Sequence, residues 1–145
     1  MNDLDPRLVE APYGLQRLIG SRMTGWSDGW ARYEIDIEDK LLNRYGIPHG
    51  GVYAMLLDTV MGHSGSFTGD PERRMLAMTL SMTTNFLSRP TGTVLIGEAR
   101  RTGGGASTFF SEGTITDDEG TRVATGTGVF RIRGGGSGGG GQAAR

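Results

Sequence analysis

The sequence has no cysteine in its 145 residues and only two histidines, His49 and His63. The lack of cysteine excludes disulfides, thiolate zinc sites and cysteine nucleophiles. The net charge is −1, with acidic and basic residues interspersed along the chain. Nothing in this charge balance suggests a nucleic-acid backbone or an anionic membrane as a partner, and we expect neither.

Long hydrophobic runs are also missing. No stretch approaches the roughly 20 apolar residues that a membrane-spanning helix needs. The first residues, MNDLDPRLVEAPYG, lack the basic region followed by an apolar run that marks a signal peptide. We therefore expect a cytoplasmic protein.

The composition divides the chain into three parts. Residues 1–27 have loosely helical spacing that Pro12 and Gly14 interrupt, so we expect a short helical segment packed on the domain. Residues 28–133 form the single domain, because this length supports one hydrophobic core. Residues 134–145 are mostly glycine, and we expect a disordered tail.

Alternating apolar and polar residues predict strands on both sides of one helical segment. The segment WARYEIDI, residues 30–37, alternates clearly, and four more β-rich runs follow the helix at 75–87, 93–102, 106–117 and 122–133. In the first of these four, one face would carry Leu76, Met78, Leu80, Met82 and Phe86. Short turn-forming connections favour antiparallel neighbours. The pattern predicts an α+β fold in which one helix covers a mainly antiparallel sheet.

The helix is expected from Gly50 to about Phe67, and it carries one charged residue, Asp58. With about 100° between successive residues, an apolar stripe opposite Asp58 should pack on the sheet. Its members are Val52, Leu56, Val60 and Phe67, flanked by Tyr53 and Leu57.

Small residues surround Asp58 on its own face of the helix. They are Gly51, Ala54, Gly62 and Gly65, with Met55 and Met61 at the margins. A solvated Asp would be the ordinary interpretation, but no lysine, arginine or second carboxylate lies between residues 50 and 69. Each mid-helix glycine costs roughly 1 kcal/mol relative to alanine, so we interpret this face as clearance for a ligand.

The start of the helix provides the complementary charge. The sequence PHGG places the free N–H groups of Gly50, Gly51 and Val52 at the positive end of the helix dipole, where they can bind a carbonyl oxygen. Asp58 lies about 10 to 12 Å further along the axis. Unless side-chain reach closes this gap, a second copy of the helix must supply one of the two groups.

These residues resemble a known family. The spacing N-x2-G-x2-H-G-G at 43–51, followed by Asp58, is similar to that of the hotdog-fold acyl-CoA thioesterases of the phenylacetate-degradation type. The segments TTNFLSRPTG and GTRVATGTGVFRIR extend the resemblance over about residues 28–133. It implies one long central helix wrapped by a five- to six-stranded sheet. It also implies a homodimer with shared active sites, often paired into a dimer of dimers.

The same resemblance implies roles for individual residues. Asp58 would be the nucleophile or general base, and the Gly50 amide would polarise the thioester carbonyl. Asn43 and His49 would orient the substrate or the attacking water, and Thr79 would assist. The substrate would be an acyl-CoA, and we expect no metal or cofactor, since coenzyme A is itself part of the substrate.

Further candidates for substrate binding come from position and composition. Gly51, Met55 and Gly62 lie near Asp58 on the helix, and the arginines near strand ends could pair with coenzyme A phosphates. These arginines are Arg89, Arg100 and Arg101.

The residues also allow alternative functions and alternative sites to be weighed against this interpretation. A non-catalytic acyl-CoA or fatty-acyl binding module on the same fold stays open, and a hotdog dehydratase or hydratase is ranked last. His63 is expected on the buried side of the helix as a structural residue, which argues against a metal site with His49. Ser64 and Ser66 lack a nucleophile-elbow context, which argues against a serine triad.

Overall fold

The computed structural model describes residues 4–134. The elements are α1 (Gly14–Ile19), β1 (Arg22–Ser27), β2 (Trp30–Asp36), a 3-10 turn (Asp39–Leu41), α2 (Gly50–Ser64), β3 (Met75–Phe86), β4 (Val94–Gly104), β5 (Thr108–Asp117) and β6 (Arg122–Gly134). All but the first residue of the predicted tail, 134–145, lie outside the described residues.

The six strands form one antiparallel sheet in the order β1-β2-β4-β5-β6-β3, and α2 packs against it. The predicted α+β hotdog architecture is therefore confirmed. The core joins the apolar stripe of α2, including Leu56 and Val60, to Phe109, Ile115 and Phe130 of the sheet. Burial of each such side chain contributes about 1.5–3 kcal/mol, so the helix is fixed on the sheet mainly by this stripe.

Helix α2 begins at Gly50 as expected but ends at Ser64, so Phe67 lies beyond it. Gly65 follows the helix, and a Cβ at this position would overlap the ring of Phe109. The clearance at Gly65 therefore serves packing in the core and not a ligand, which corrects that part of the sequence interpretation. Met61, placed at the margin of the Asp58 face, is fully buried.

Residues 22–27, which we grouped with the N-terminal helical segment, form the edge strand β1. Ser27 pairs with Trp30 across a two-residue Asp28-Gly29 turn, and Gly29 has a φ of +74°. Asp-Gly is a strong hairpin signal, but Thr24 and Gly25 interrupt the apolar alternation before it. Of the helical segment that was expected at 1–27, residues 4–27 contain only the short helix α1.

A β-bulge in β3 overturns the predicted inward face of that strand for the residues up to the bulge, whereas Met82 and Phe86 beyond it stay on the helix side. The register shifts between Thr79 and Ser81. Four of the five residues placed on the core face are exposed, and only Met82 is half-buried. Ahead of the bulge, Ala77 packs against the core in their place. The exposed four are Leu76, Met78, Leu80 and Phe86.

Within residues 4–134, no helix combines the length and the apolar character needed to cross a membrane.

Candidate active site

A tight turn precedes the entrance of α2, and Asn43 holds it. Its side-chain oxygen accepts hydrogen bonds from the backbone N–H of Tyr45 at 2.9 Å and of Ile47 at 3.5 Å. Gly46 adopts a φ of +74°, which only glycine accommodates easily. Asn43 therefore shapes the approach to the helix through its carbonyl oxygen.

His49 is the N-cap of α2. Its Nδ1 accepts a hydrogen bond from the backbone N–H of Gly51 at 2.9 Å. Because Nδ1 accepts, the proton of the neutral ring is on Nε2. His49 is exposed, so its Nε2–H is an available hydrogen-bond donor at the N-terminus of α2.

The three amides expected to be free at the helix start are not equivalent. The N–H of Gly51 is bonded to His49 Nδ1, and the N–H of Val52 donates to the His49 carbonyl at 2.8 Å. Among the described residues, the Gly50 N–H has no recorded acceptor. Of the three amides, only that of Gly50 is left to donate to a carbonyl oxygen. Gly51 has no side chain that would obstruct the approach.

Phe86 forms an apolar wall beside this amide. A Cβ added at Gly50 would lie 3.1 Å from Phe86 Cε1, so the ring approaches the glycine closely and would have to shift slightly for an alanine. Behind it, the Tyr53 ring lies 6.3 Å from the Phe86 ring, centroid to centroid. The Tyr53 hydroxyl is buried with no hydrogen-bond partner among the described residues, and burial raises the pKa of Tyr53.

Asp58 and Thr79 meet across the contact between α2 and β3. The Thr79 hydroxyl donates a hydrogen bond to Asp58 Oδ1 at 2.5 Å. The bulge that starts at Thr79 re-aims the strand, so that Thr79 faces the helix and Met82 is half-buried further along. Within residues 4–134, Asp58 Oδ2 makes no hydrogen bond.

Asp58 and Thr79 line a cavity of about 290 Å³, which we call the Asp58 chamber. Gly62 lies one turn beyond Asp58 on its wall, where a Cβ would be 3.7 Å from Phe130. Tyr13 borders the chamber from the N-terminal segment, a contribution that the sequence did not reveal. Of the predicted site residues, the Asp58 chamber brings together Asp58, Thr79 and Gly62.

His63 also lines the Asp58 chamber, but its polar atoms are engaged. Nδ1 lies 2.9 Å from the Thr59 carbonyl and must donate to it, which leaves Nε2 to accept from the Tyr33 hydroxyl at 3.3 Å. The Trp26 ring packs edge-on against His63 at 5.4 Å. Burial lowers the pKa of His63, so the ring is neutral near pH 7. This geometry matches the structural role expected for His63.

The remaining predicted residues do not line the Asp58 chamber. Arg100 borders a separate cavity together with Glu98 and Glu112. The Arg101 guanidinium lies 5.5 Å above the Phe109 ring, and its Nη2 donates to the Gly105 carbonyl. A role for these two arginines in binding phosphate stays a prediction.

Two more predicted residues lie outside the Asp58 chamber. Arg89 is exposed in the connection after β3. Met55 is half-buried on α2, and its sulfur accepts a hydrogen bond from the Thr59 hydroxyl. Neither residue borders the Asp58 chamber.

Gly50 and Asp58 belong to one uninterrupted helix. Eight residues separate them, which corresponds to about 12 Å of axial rise. One small ligand group therefore cannot lie within hydrogen-bond distance of the Gly50 amide and also reach Asp58 of the same chain.

Comparisons with known proteins place the chain in a family. The sequence model described as thioesterase superfamily matches residues 45–124, more than half of the chain. The chain therefore belongs to the thioesterase superfamily, and this membership supports thioester hydrolysis as the general reaction class. No curated protein matches the chain.

Solved structures agree with the fold. The conserved protein PA5202 of Pseudomonas aeruginosa has a TM-score of 0.74 at 24% identity, over 88% of this chain and 97% of that one. The E. coli PaaI protein from the phenylacetic acid degradation operon has a TM-score of 0.72 at 20% identity, over 83% of this chain and 85% of that one. Thioesterase HI1161 of Haemophilus influenzae has a TM-score of 0.73 at 15% identity, over 83% of this chain and 82% of that one. At these identities, the likeness concerns the fold alone.

Proposed function

We propose that this protein hydrolyses acyl-CoA thioesters in a site shared by two copies of the chain. The observation that carries the proposal is the arrangement of α2, which has an unengaged Gly50 amide at one end and an anchored Asp58 about two turns further on. Two such helices packed side by side can present the amide of one chain and the carboxylate of the other to one carbonyl.

In this site, the carbonyl oxygen of the thioester accepts the Gly50 N–H at the positive end of the helix dipole. Asp58 of the other copy either attacks the carbonyl carbon and expels the thiolate, giving an anhydride that water then hydrolyses, or takes a proton from a water that attacks the carbonyl carbon itself. Coenzyme A leaves as the thiol and the acyl group as the free acid. Thr79 holds Asp58 Oδ1, so Oδ2 is the reacting oxygen.

The edge of the sheet supports the second copy. β3 is twelve residues long and forms the last strand of the sheet, and its outer edge is unpaired within residues 4–134. Leu76 and Leu80 are more than half exposed on this strand, and Leu87 follows it at 51%. A long, apolar, unpaired edge strand pairs readily with another chain, so we place the dimer interface there.

The test is the release of free thiol from a panel of acyl-CoAs. Asp58→Asn should lower kcat by two to three orders of magnitude, since the amide cannot act as base or nucleophile. Asp28→Asn is the matched control, because Asn-Gly suits the β1–β2 turn as well as Asp-Gly does. Equal turnover by both variants would remove Asp58 from the reaction. Binding of acyl-CoA without hydrolysis of any substrate would favour a binding module.

A further inference from the structure

A second cavity adjoins the Asp58 chamber. Its volume is about 190 Å³, and three residues border both cavities: Glu10, Tyr13 and His63. The walls of the second cavity are largely apolar, with Val9, Pro12 and Met23 among them. We call it the inner cavity.

The three shared residues differ in how firmly they are held. His63 is fixed by its bonds to Thr59 and Tyr33. Glu10 is ion-paired with Arg74 at 3.5 Å, and this pair lies at the surface. The ring of Tyr13, which is 47% exposed, is the large apolar group among the three. Of the three shared residues, Tyr13 is therefore the one whose side-chain size can be changed without disturbing the core.

We propose that Tyr13 sets the length of the acyl group that the Asp58 chamber accepts. This inference rests on the proposed function, because it concerns the acyl group of the same thioester. The Asp58 chamber, at about 290 Å³, is near the lower end of the roughly 300–1,000 Å³ of small-molecule pockets. With Tyr13 in place, the chamber admits a short acyl group, and the inner cavity shares Tyr13 with it as a lining residue.

Removal of the ring should join the two cavities. The surface of the added 190 Å³ is mainly apolar, although polar side chains such as Glu10, Gln16 and Arg22 also border it, so each additional methylene that enters along the apolar part leaves water. Burial of one methylene raises kcat/KM by roughly fourfold. The substrate class predicted for the enlarged site is therefore a longer straight-chain acyl-CoA.

The main-chain role of Tyr13 survives substitution. Its backbone N–H donates to Gln16 Oε1 at 3.1 Å, which caps the start of α1, and this bond does not involve the ring. Tyr13→Ala therefore removes the ring while keeping the cap, and Tyr13→Trp enlarges the side chain. Tyr13→Phe keeps the ring, and Leu18→Ala removes an exposed side chain of α1 that borders neither cavity.

The experiment measures kcat/KM for straight-chain acyl-CoAs from acetyl to palmitoyl. Tyr13→Ala should raise the ratio of long-chain to short-chain kcat/KM by at least tenfold, and Tyr13→Trp should lower it. Tyr13→Phe and Leu18→Ala should keep the profile of the unmodified protein. Uniform scaling of all substrates, or an unchanged profile in both Ala and Trp variants, would overturn the inference while leaving hydrolysis intact. Lack of hydrolysis of every acyl-CoA by the unmodified protein would overturn the proposed function and this inference with it.

Discussion

The Thr79 hydroxyl lies 2.5 Å from Asp58 Oδ1 and donates a hydrogen bond to it. The bond joins the edge strand to the central helix at the one charged residue of that helix face. A carboxylate with one oxygen fixed presents its other oxygen in a defined direction, which favours attack or proton transfer.

Loss of this hydrogen bond should slow the reaction without removing the carboxylate. Thr79→Val keeps the shape of the side chain, and a hydrogen bond to a charged group contributes about 1.5–3 kcal/mol. If that interaction is made mainly in the transition state, kcat should fall about 10- to 100-fold. Thr79→Ser keeps the hydroxyl and should stay within about threefold of the unmodified rate by the same scale. Equal kcat for the Val and Ser variants would show that the bond has no part in turnover.

Gly62→Ala should separate stability from activity. The added Cβ would lie 3.7 Å from Phe130 and 3.9 Å from Ala77, which is ordinary contact, and alanine is favoured in helices by about 1 kcal/mol. Because Gly62 lines the Asp58 chamber, the same methyl group narrows it. We expect a gain of roughly 0.5–1 kcal/mol in the free energy of unfolding, together with weaker hydrolysis of bulky acyl groups. Urea denaturation and acyl-CoA kinetics check the two effects, and faster hydrolysis of bulky substrates would contradict the assignment.

Asp117 should stabilise the fold in a pH-dependent way. Its carboxylate accepts hydrogen bonds from the backbone N–H groups of Thr91, Gly92, Glu119 and Thr121. Burial alone would raise the pKa of Asp117, but these donors outweigh it and hold the pKa well below its usual range. Because the folded pKa is lowered, the stabilisation is fully present above about pH 4 and declines as the pH falls below the unfolded pKa of about 3.9.

Asp117→Asn should therefore lower the free energy of unfolding by roughly 2–4 kcal/mol at pH 7, because it breaks a buried network of charged hydrogen bonds. The difference from the unmodified protein should shrink in urea titrations at pH 3. Asp118→Asn is an informative comparison, since Asp118 accepts from Thr93 and Val94 but is exposed. A difference for Asp117→Asn that stays constant down to pH 3 would contradict this account.

A charge on the edge strand should dissociate the proposed dimer. Leu80 is 57% exposed at the bulge of β3, and Leu80→Glu would place a carboxylate in the apolar interface. Sedimentation should show a shift toward monomer, and thioesterase activity should fall with it. Leu18→Glu, at a leucine of α1 that is 67% exposed, should change neither. A dimer that persists in Leu80→Glu would place the interface elsewhere.

The sequence predicted the architecture well because its patterns are local. Periodicity predicted α2 and strands β2 to β6, and the confirmed start of α2 at Gly50 depends on the capping sequence around His49. The bulge at Thr79 was not predicted, because a one-residue register shift leaves the composition of the strand unchanged. The predicted inward face of β3 is therefore wrong for Leu76, Met78 and Leu80, whereas Met82 and Phe86 lie on the helix side as expected.

The contribution of the N-terminal residues to the site could also not be predicted from the sequence. Glu10 and Tyr13 border the Asp58 chamber, but they lie about fifty residues from Asp58 and follow no motif. The same limit applied to the helix start, where the sequence suggested three free amides and the side chain and carbonyl of His49 engage two of them. Such details depend on tertiary contacts and on side-chain direction.

The central claim is that the Gly50 amide and the reacting Asp58 come from different copies of the chain. Gly50→Pro removes the N–H at the first position of the helix, where proline is tolerated, and the extended backbone of His49 (φ −60°, ψ 140°) suits a following proline. Gly50→Ala is its control, because it adds the same Cβ beside Phe86 but keeps the N–H. Gly50→Pro and Asp58→Asn should each be inactive alone.

The most direct measurement is the thioesterase activity of a mixture in which equal amounts of these two inactive chains have been unfolded and refolded together. Half of the dimers are then mixed, and each mixed dimer holds one site with an intact amide and an intact carboxylate, so the account predicts recovery of about one quarter of the unmodified activity. No recovery, with mixed dimers present by mass, would contradict a shared site.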